Sequence, residues 1–232
     1  MRWTEVGEGV FARRHEHLDL TLGLVLGAER CLVVDTGGDE VHGAEFAAAV
    51  RELTPLPWVV VLTHGHFDHH FGTYAFLPCP VWAHERCAAA MDDDRAAWIS
   101  KFRREGEPEA AGRLAASRLV PPTDVLATEV RLDLGGRTVT LLHPGRGHTD
   151  HDVAVHVPDA GVVFTGDLVE QGADPSIGPD SHVAEWPRAL DSLLALGAHT
   201  YVPGHGDPVD PGFVRAQRNR LSRSSGRPSA SA

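Results

Sequence analysis

Six residues limit this chain more than any others. His64-Gly65-His66-Phe67-Asp68-His69 places four metal-ligating side chains directly behind Trp58–Thr63, a continuous apolar run containing three valines. Such a run reads as a strand buried on both faces. Residues two apart on extended backbone point the same way, so His64 and His66 can face one metal together. As the chain turns into a following helix, Asp68 and His69 are redirected and can face a second metal. Imidazole nitrogen and carboxylate oxygen are ligands that suit zinc. The competing explanation is an exposed, histidine-rich turn, and the hydrophobic strand ahead of the motif argues against it.

Three later positions repeat the arrangement. Gly147-His148-Thr149-Asp150 follows a strand ending at Leu142, Thr165-Gly166-Asp167 follows Val162–Phe164, and Pro203-Gly204-His205-Gly206 follows a strand near Tyr201. Each sets one ligand type beside glycine at the C-terminal end of a strand. Glycine lets the backbone turn tightly and approach a site, and loops at strand ends are where sites assemble.

The rest of the chain supplies a frame for these motifs. Val10–Arg13, Leu20–Leu26 and Cys31–Asp35 read as strands, and Phe46, Val50 and Leu53 give Glu40–Leu53 a helical period. An Ala- and Arg-rich stretch, about 86–120, reads as inserted helices stopped by Pro121-Pro122. Val130–Leu134 and Thr138–Leu142 form a hairpin through Gly135-Gly136, and Ala154–Val157, Val162–Thr165 and Thr200–Pro203 are further strands. Val183, Trp186, Leu190, Leu193 and Leu194 mark an amphipathic helix. Two similar αβ halves, 1–85 and 124–209, are therefore expected, with their sheets packed together and helices outside. The expected domain is 1–217, and 218–232, rich in Ser, Arg, Gly, Pro and Ala, is expected to be disordered.

Composition narrows the partners. The 232 residues carry a formal net charge of -11, whereas nucleic-acid binders show a basic surplus. No nucleic-acid partner is expected. No apolar stretch approaches the ~18 residues of a membrane span, and the N-terminus lacks a basic segment followed by an apolar run. Cys31, Cys79 and Cys87 have no CxxC spacing, which argues against a disulfide framework and fits a cytoplasmic protein.

Taken in order and context, these motifs resemble those of the metallo-β-lactamase superfamily, the αββα-fold metallohydrolases. Asp35-Thr36-Gly37 after Cys31–Val34 matches a further upstream element, and the similarity spans roughly residues 3 to 209. The resemblance implies a four-layer α/β sandwich, αββα, of two mixed sheets with outer helices. It implies a first metal on His64, His66 and His148, a second on Asp68, His69 and His205, and Asp167 bridging the two. The metals would be two zinc ions per chain, with iron or manganese as alternatives. A hydroxide between them would attack a carbonyl, with Asp68 orienting it. Asp35 would support a metal-bound histidine or serve only as a turn residue.

Departures from individual branches narrow the activity. True β-lactamases usually carry Cys or Ser at the Asp167 position and are exported. Glyoxalase II enzymes add a glutathione-binding helical domain, and familiar acyl-homoserine lactonases have tyrosine where Glu170 stands. Flavodiiron oxygen reductases replace the second histidine, here the intact His66. The chain lacks the inserted domain and basic balance of the RNA-processing nucleases. What remains is a glyoxalase II-like or lactonase-like hydrolase of a small ester, thioester or lactone. A mononuclear iron dioxygenase acting on persulfides and a non-catalytic metal-binding protein are the alternatives.

Other polar clusters are expected to be bland. His15-Glu16-His17-Leu18-Asp19 reads as a solvated loop, and Arg95, Lys101, Arg103 and Arg104 as a solvated face. His151 is placed either at the cleft or on the surface. His70, His84 and His143 read as structural or exposed, and Trp82, Trp98 and Trp186 as core.

Overall fold

A computed structural model describes residues 2–225 of the chain. In chain order the first strands are β1 (Trp3–Gly7), β2 (Val10–His15), β3 (Leu20–Leu26), β4 (Cys31–Val34), β5 (Trp58–Val61), β6 (Val81–His84) and β7 (Asp124–Leu126). They are followed by β8 (Glu129–Asp133), β9 (Thr138–Leu142), β10 (Ala154–Val157), β11 (Val162–Glu170) and β12 (Thr200–His205). The helices are α1 (Glu40–Leu53), α2 (Phe67–His70), α3 (Cys87–Ala90), α4 (Arg95–Glu105), α5 (Pro108–Ala116), α6 (Trp186–Ala195) and α7 (Pro211–Ser225).

Strand pairing builds two mixed sheets. One runs β7-β6-β5-β4-β3, parallel from β4 to β7, with β2 and then β1 added antiparallel beyond β3. The other runs β12-β11-β10-β9-β8, with β11 and β12 parallel and the rest antiparallel. The sheets join through one residue pair, Leu20 with His205. A candidate ligand therefore sits at the seam between them.

Alternation along each strand makes the layers. Val59 and Val61 of β5 and Leu32 and Val34 of β4 share a core with Val139, Leu141, Val155, Val162 and Phe164 of the second sheet. The intervening Val60, Cys31 and Val33 pack outward with Phe46 and Val50 of α1. On the far side, Ala154, Val163 and Tyr201 pack with Trp186, Leu190 and Leu193 of α6 and with Val214 and Leu221 of α7. This is the expected αββα sandwich. Each fully buried aliphatic side chain contributes roughly 1.5–3 kcal/mol. A one-residue slip of β5 would exchange its two faces and misdirect His64, so hydrophobic packing also fixes where the ligand motif points.

Some expectations are corrected. Residues 218–225 continue α7, because Val214, Gln217 and Leu221 recur at helical spacing and are buried on the second sheet and α6. That apolar stripe outweighs the Ser- and Arg-rich composition; residues 226–232 lie outside the described part. β1, β6 and β7 were not read from the sequence, being short and mixed in composition. β11 runs on to Glu170, so Asp167 stands in an irregular strand and not in a loop beyond it. The inserted stretch is occupied by α3, α4 and α5.

Candidate metal centre

All seven expected ligand residues converge at the C-terminal ends of β5, β11 and β12 and on the β9–β10 connection. His64, His66 and His148 form one group whose ligand atoms lie within 4.8 Å of one another, and Asp68, His69 and His205 form a second. Asp167 lies between them. Its Oδ1 is 3.2 Å from His69 Nε2, and its Oδ2 is 3.3 Å from His205 Nε2, 3.6 Å from His148 Nε2 and 3.9 Å from His64 Nε2. Asp68 Oδ2 is 3.3 Å from His205 Nε2.

Two glycines make room for this. Gly166 has φ +51, and a Cβ there would lie 2.7 Å from Thr63 Cβ. A Cβ on Gly204 would collide with Asp167 Oδ1. The glycines beside Asp167 and His205 thus permit close backbone approach, as the sequence reading required.

Each histidine is oriented by its other ring nitrogen. His69 Nδ1 donates to Asp35 Oδ2 at 2.8 Å. Thr63 Oγ1 donates to the same oxygen at 2.7 Å, so its lone pair accepts from His64 Nδ1 at 3.1 Å. His148 Nδ1 donates to the Ser176 carbonyl at 3.1 Å and His205 Nδ1 to the Leu18 carbonyl at 2.8 Å. These four present Nε2 to the centre. His66 is reversed: its Nε2 donates to Asp180 Oδ2 at 2.9 Å, and its Nδ1 faces inward. Such partners fix the tautomer and raise ligand basicity.

Asp35 is therefore more than a turn residue. It is buried in the left-handed region at φ +59, and its Oδ1 also accepts from Thr63 N at 2.7 Å. A non-glycine residue held there costs on the order of 1–3 kcal/mol and persists only where its surroundings demand it.

The inward atoms call for cations. His64 Nε2, His69 Nε2 and Asp167 Oδ1 are buried with no hydrogen-bond partner. His66 Nδ1 and His148 Nε2 point at each other across 2.8 Å. Buried polar atoms are rarely left so. The donor set, five imidazoles and two carboxylates in two groups, fits two ions of zinc type.

Electrostatics agree. Burial opposes a proton on His205, yet Asp167 and Asp68 push its imidazole up to about 12. Burial is likewise outweighed at His69, which Asp167, Asp68 and Asp35 hold well above the ordinary histidine value. Burial would raise the two acids, but His205 and His69 keep Asp167 well below the usual carboxylate range, and His69 and His205 hold Asp68 down to about 2. Burial pushes His148 down to about 4, and burial with His69 beside it holds His64 well below the ordinary histidine value. The carboxylates thus hold protons on two histidines as their counter-charge. A bound cation takes over that charge and releases the protons.

Several supporting residues carried no sequence signal. Ser176 and Asp180 lie in the segment between β11 and α6 and orient His148 and His66. Glu170 ties that segment down, accepting from Ser176 N at 2.7 Å and from Ser176 Oγ at 3.2 Å. Its carboxylate is near His148 and Asp167, and burial, followed by Asp167, pushes its pKa up to about 7. The loop at Leu18 also departs from expectation. Leu18 and Asp19 line the cleft over the centre, and both have positive φ. His151 reaches the cleft: Gly65 N donates to its Nε2 at 3.1 Å, and its Nδ1 donates to Asp150 at 3.0 Å.

Trp186 is core, whereas Trp98 lines the cleft. Arg103 and Arg104 are exposed, as expected, while Arg95 packs on the Phe71 ring and donates to the Ser117 carbonyl. His84 and His143 are structural, each bonded to a backbone carbonyl.

Comparison with known proteins shows the family. The family described as the metallo-beta-lactamase superfamily matches residues 21–205, a span that holds all seven ligand positions. Acyl-coenzyme A thioesterase MBLAC2 of Bos taurus is 28% identical over 221 residues, covering 86% of this chain and 79% of its own. Metallo-beta-lactamase type 2 of Bacillus sp. (strain 170) is 26% identical over 198 residues, covering 83% and 69%. The solved metallo-beta-lactamase from Pontibacter korlensis superposes with a TM-score of 0.70 at 22% identity, covering 95% and 98%, and shares the fold. With the family model matched over residues 21–205, most of its length, the chain belongs to the metallo-β-lactamase superfamily.

Proposed function

We propose that this protein is a dinuclear zinc hydrolase of a small ester, thioester or lactone. The observation that carries the reading is the set of buried atoms that make no hydrogen bond, His64 Nε2, His69 Nε2 and Asp167 Oδ1, gathered beside the cleft that Asp68, Asp167 and His205 line. His64, His66 through Nδ1, and His148 would hold one ion, and Asp68, His69 and His205 the other, with Asp167 shared. When bound, paired divalent ions lower the pKa of water toward neutrality and polarise a carbonyl oxygen.

The chain's own groups do the rest. Asp68 lines the cleft and would act as the general base. It takes the proton as the C–O bond to water forms, and returns it to the alcohol or thiol as the ester or thioester bond breaks. Trp98 and Ile177 wall the cleft and limit water around the reacting carbonyl. No Ser or Cys nucleophile is needed. The similarity to acyl-coenzyme A thioesterases supports a thioester among these substrates, and aspartate at position 167 supports a role other than antibiotic hydrolysis.

The test is Asp68→Asn and His66→Ala in the zinc-loaded protein, assayed on ester, thioester and lactone panels. Both are expected to lose turnover by roughly 100-fold or more while keeping the wild-type circular dichroism spectrum. Full activity in either would overturn the assigned roles.

A further inference from the structure

The cleft over the metal centre encloses about 970 Å³, and its walls carry a marked charge bias. No lysine or arginine is among the described residues that line it. Apart from the seven ligand positions, its acidic residues are Asp19, Asp93, Asp94, Asp150, Glu170 and Asp180. Two arginines pair with acidic residues of the wall. Arg14 pairs with Asp19 and, at 2.8 Å, with Asp207. Arg86 pairs with Asp150 at 3.0 Å and also donates to the Asp150 carbonyl. Asp93 and Asp94, just ahead of α4, both line the cleft, Asp94 accepting from Phe67 N at 3.2 Å through Oδ2. The remaining wall is apolar, with Leu18, Trp98, Ile177 and Pro179 facing the space.

The two features act together on a substrate. The apolar wall rewards burial of hydrocarbon. An anionic group led along the same wall gives up hydration and meets carboxylates, while Lys101 is held against the Trp98 ring, its Nζ 4.0 Å from the ring centroid. The net charge of -11 adds a repulsive field on approach.

Resting on the hydrolase reading above, we propose that the substrate outside its reacting carbonyl is apolar and neutral or cationic, and that polyanionic carrier esters are discriminated against. This sets the chain apart from the acyl-coenzyme A thioesterases it is similar to. Asp93 and Asp94 are specificity-determining residues that act by repulsion.

The experiment compares one acyl group carried on three thiols: neutral N-acetylcysteamine, cationic thiocholine and anionic coenzyme A. The zinc-loaded full chain is assayed for kcat/KM at low salt and at roughly 0.15 M salt. The neutral and cationic thioesters are expected to exceed the coenzyme A thioester by about tenfold or more at low salt, and salt narrows the gap. Asp93→Arg is expected to shift the ratio toward the coenzyme A thioester by roughly threefold or more. A coenzyme A thioester turned over as fast as the neutral one, or a gap indifferent to both salt and Asp93→Arg, overturns the selectivity and leaves the hydrolase reading standing. No turnover of any of the three by protein that turns over an ester or lactone overturns the selectivity alone, and no turnover of any thioester, ester or lactone overturns both.

Discussion

Asp180 Oδ2 accepts a hydrogen bond from His66 Nε2 at 2.9 Å, and in doing so turns the other ring nitrogen of His66 toward the buried centre. Ser176, four residues earlier on the same segment, holds His148 through its carbonyl. Two of the three histidines in the first ligand group are therefore oriented from the stretch that also walls the cleft. Metal occupancy and cleft shape depend on the same residues.

Asp180→Ala removes the group that fixes the His66 tautomer. Zinc affinity at the first group is expected to fall by about 10–100-fold, with the second group far less affected. Stepwise competition against a chromophoric chelator separates the two events. An unchanged first affinity would mean that Asp180 is only a surface acid.

Asp35→Asn tests the other group. Asparagine tolerates the left-handed backbone at φ +59, so the fold is retained. Its amide, however, faces two donors, His69 Nδ1 and Thr63 Oγ1, where the carboxylate accepted from both. The second-group zinc affinity is expected to drop by about 10–100-fold. Wild-type affinity would reduce Asp35 to a turn residue.

Metal-free protein should lose stability as pH rises above neutral. His205 and His69 keep their protons in the fold well beyond the ordinary histidine value, whereas unfolded histidines release theirs near 6.5. The folded state then binds more protons, so the contribution is complete below about 6.5 and fades as pH climbs toward about 12 for His205. Urea midpoints of the metal-free protein between pH 7 and 7.5, below the ordinary cysteine value of about 8.5, check this. A decline is expected. A rise over that interval would contradict the assignment of protons to His69 and His205.

Much of this was legible in the sequence, for physical reasons. The seven candidate ligands could be brought together because their motifs lie at or near apolar strands and carry glycine, as with His64 behind Val59–Leu62 and His205 beside Gly204. The sandwich could be read because Val59 and Val61 alternate with Val60 between two cores. What escaped lies in irregular chain or depends on carbonyls. Leu18 supports His205 through a backbone oxygen, which no side-chain pattern can announce. Ser176 and Asp180 sit in a Gly- and Pro-rich segment whose direction is set by Glu170. Trp98 and Trp186 look alike in sequence, yet one lines the cleft and the other is wholly buried, because only tertiary packing decides which side of a helix meets the core.

The most direct test of the central claim is the zinc content per chain of the purified protein, titrated from the metal-free state while thioester turnover is followed. Two equivalents bound, with turnover absent in the metal-free protein and restored as zinc is added, is the expected result. One equivalent of iron without hydrolysis, or full turnover in the absence of metal, would contradict it.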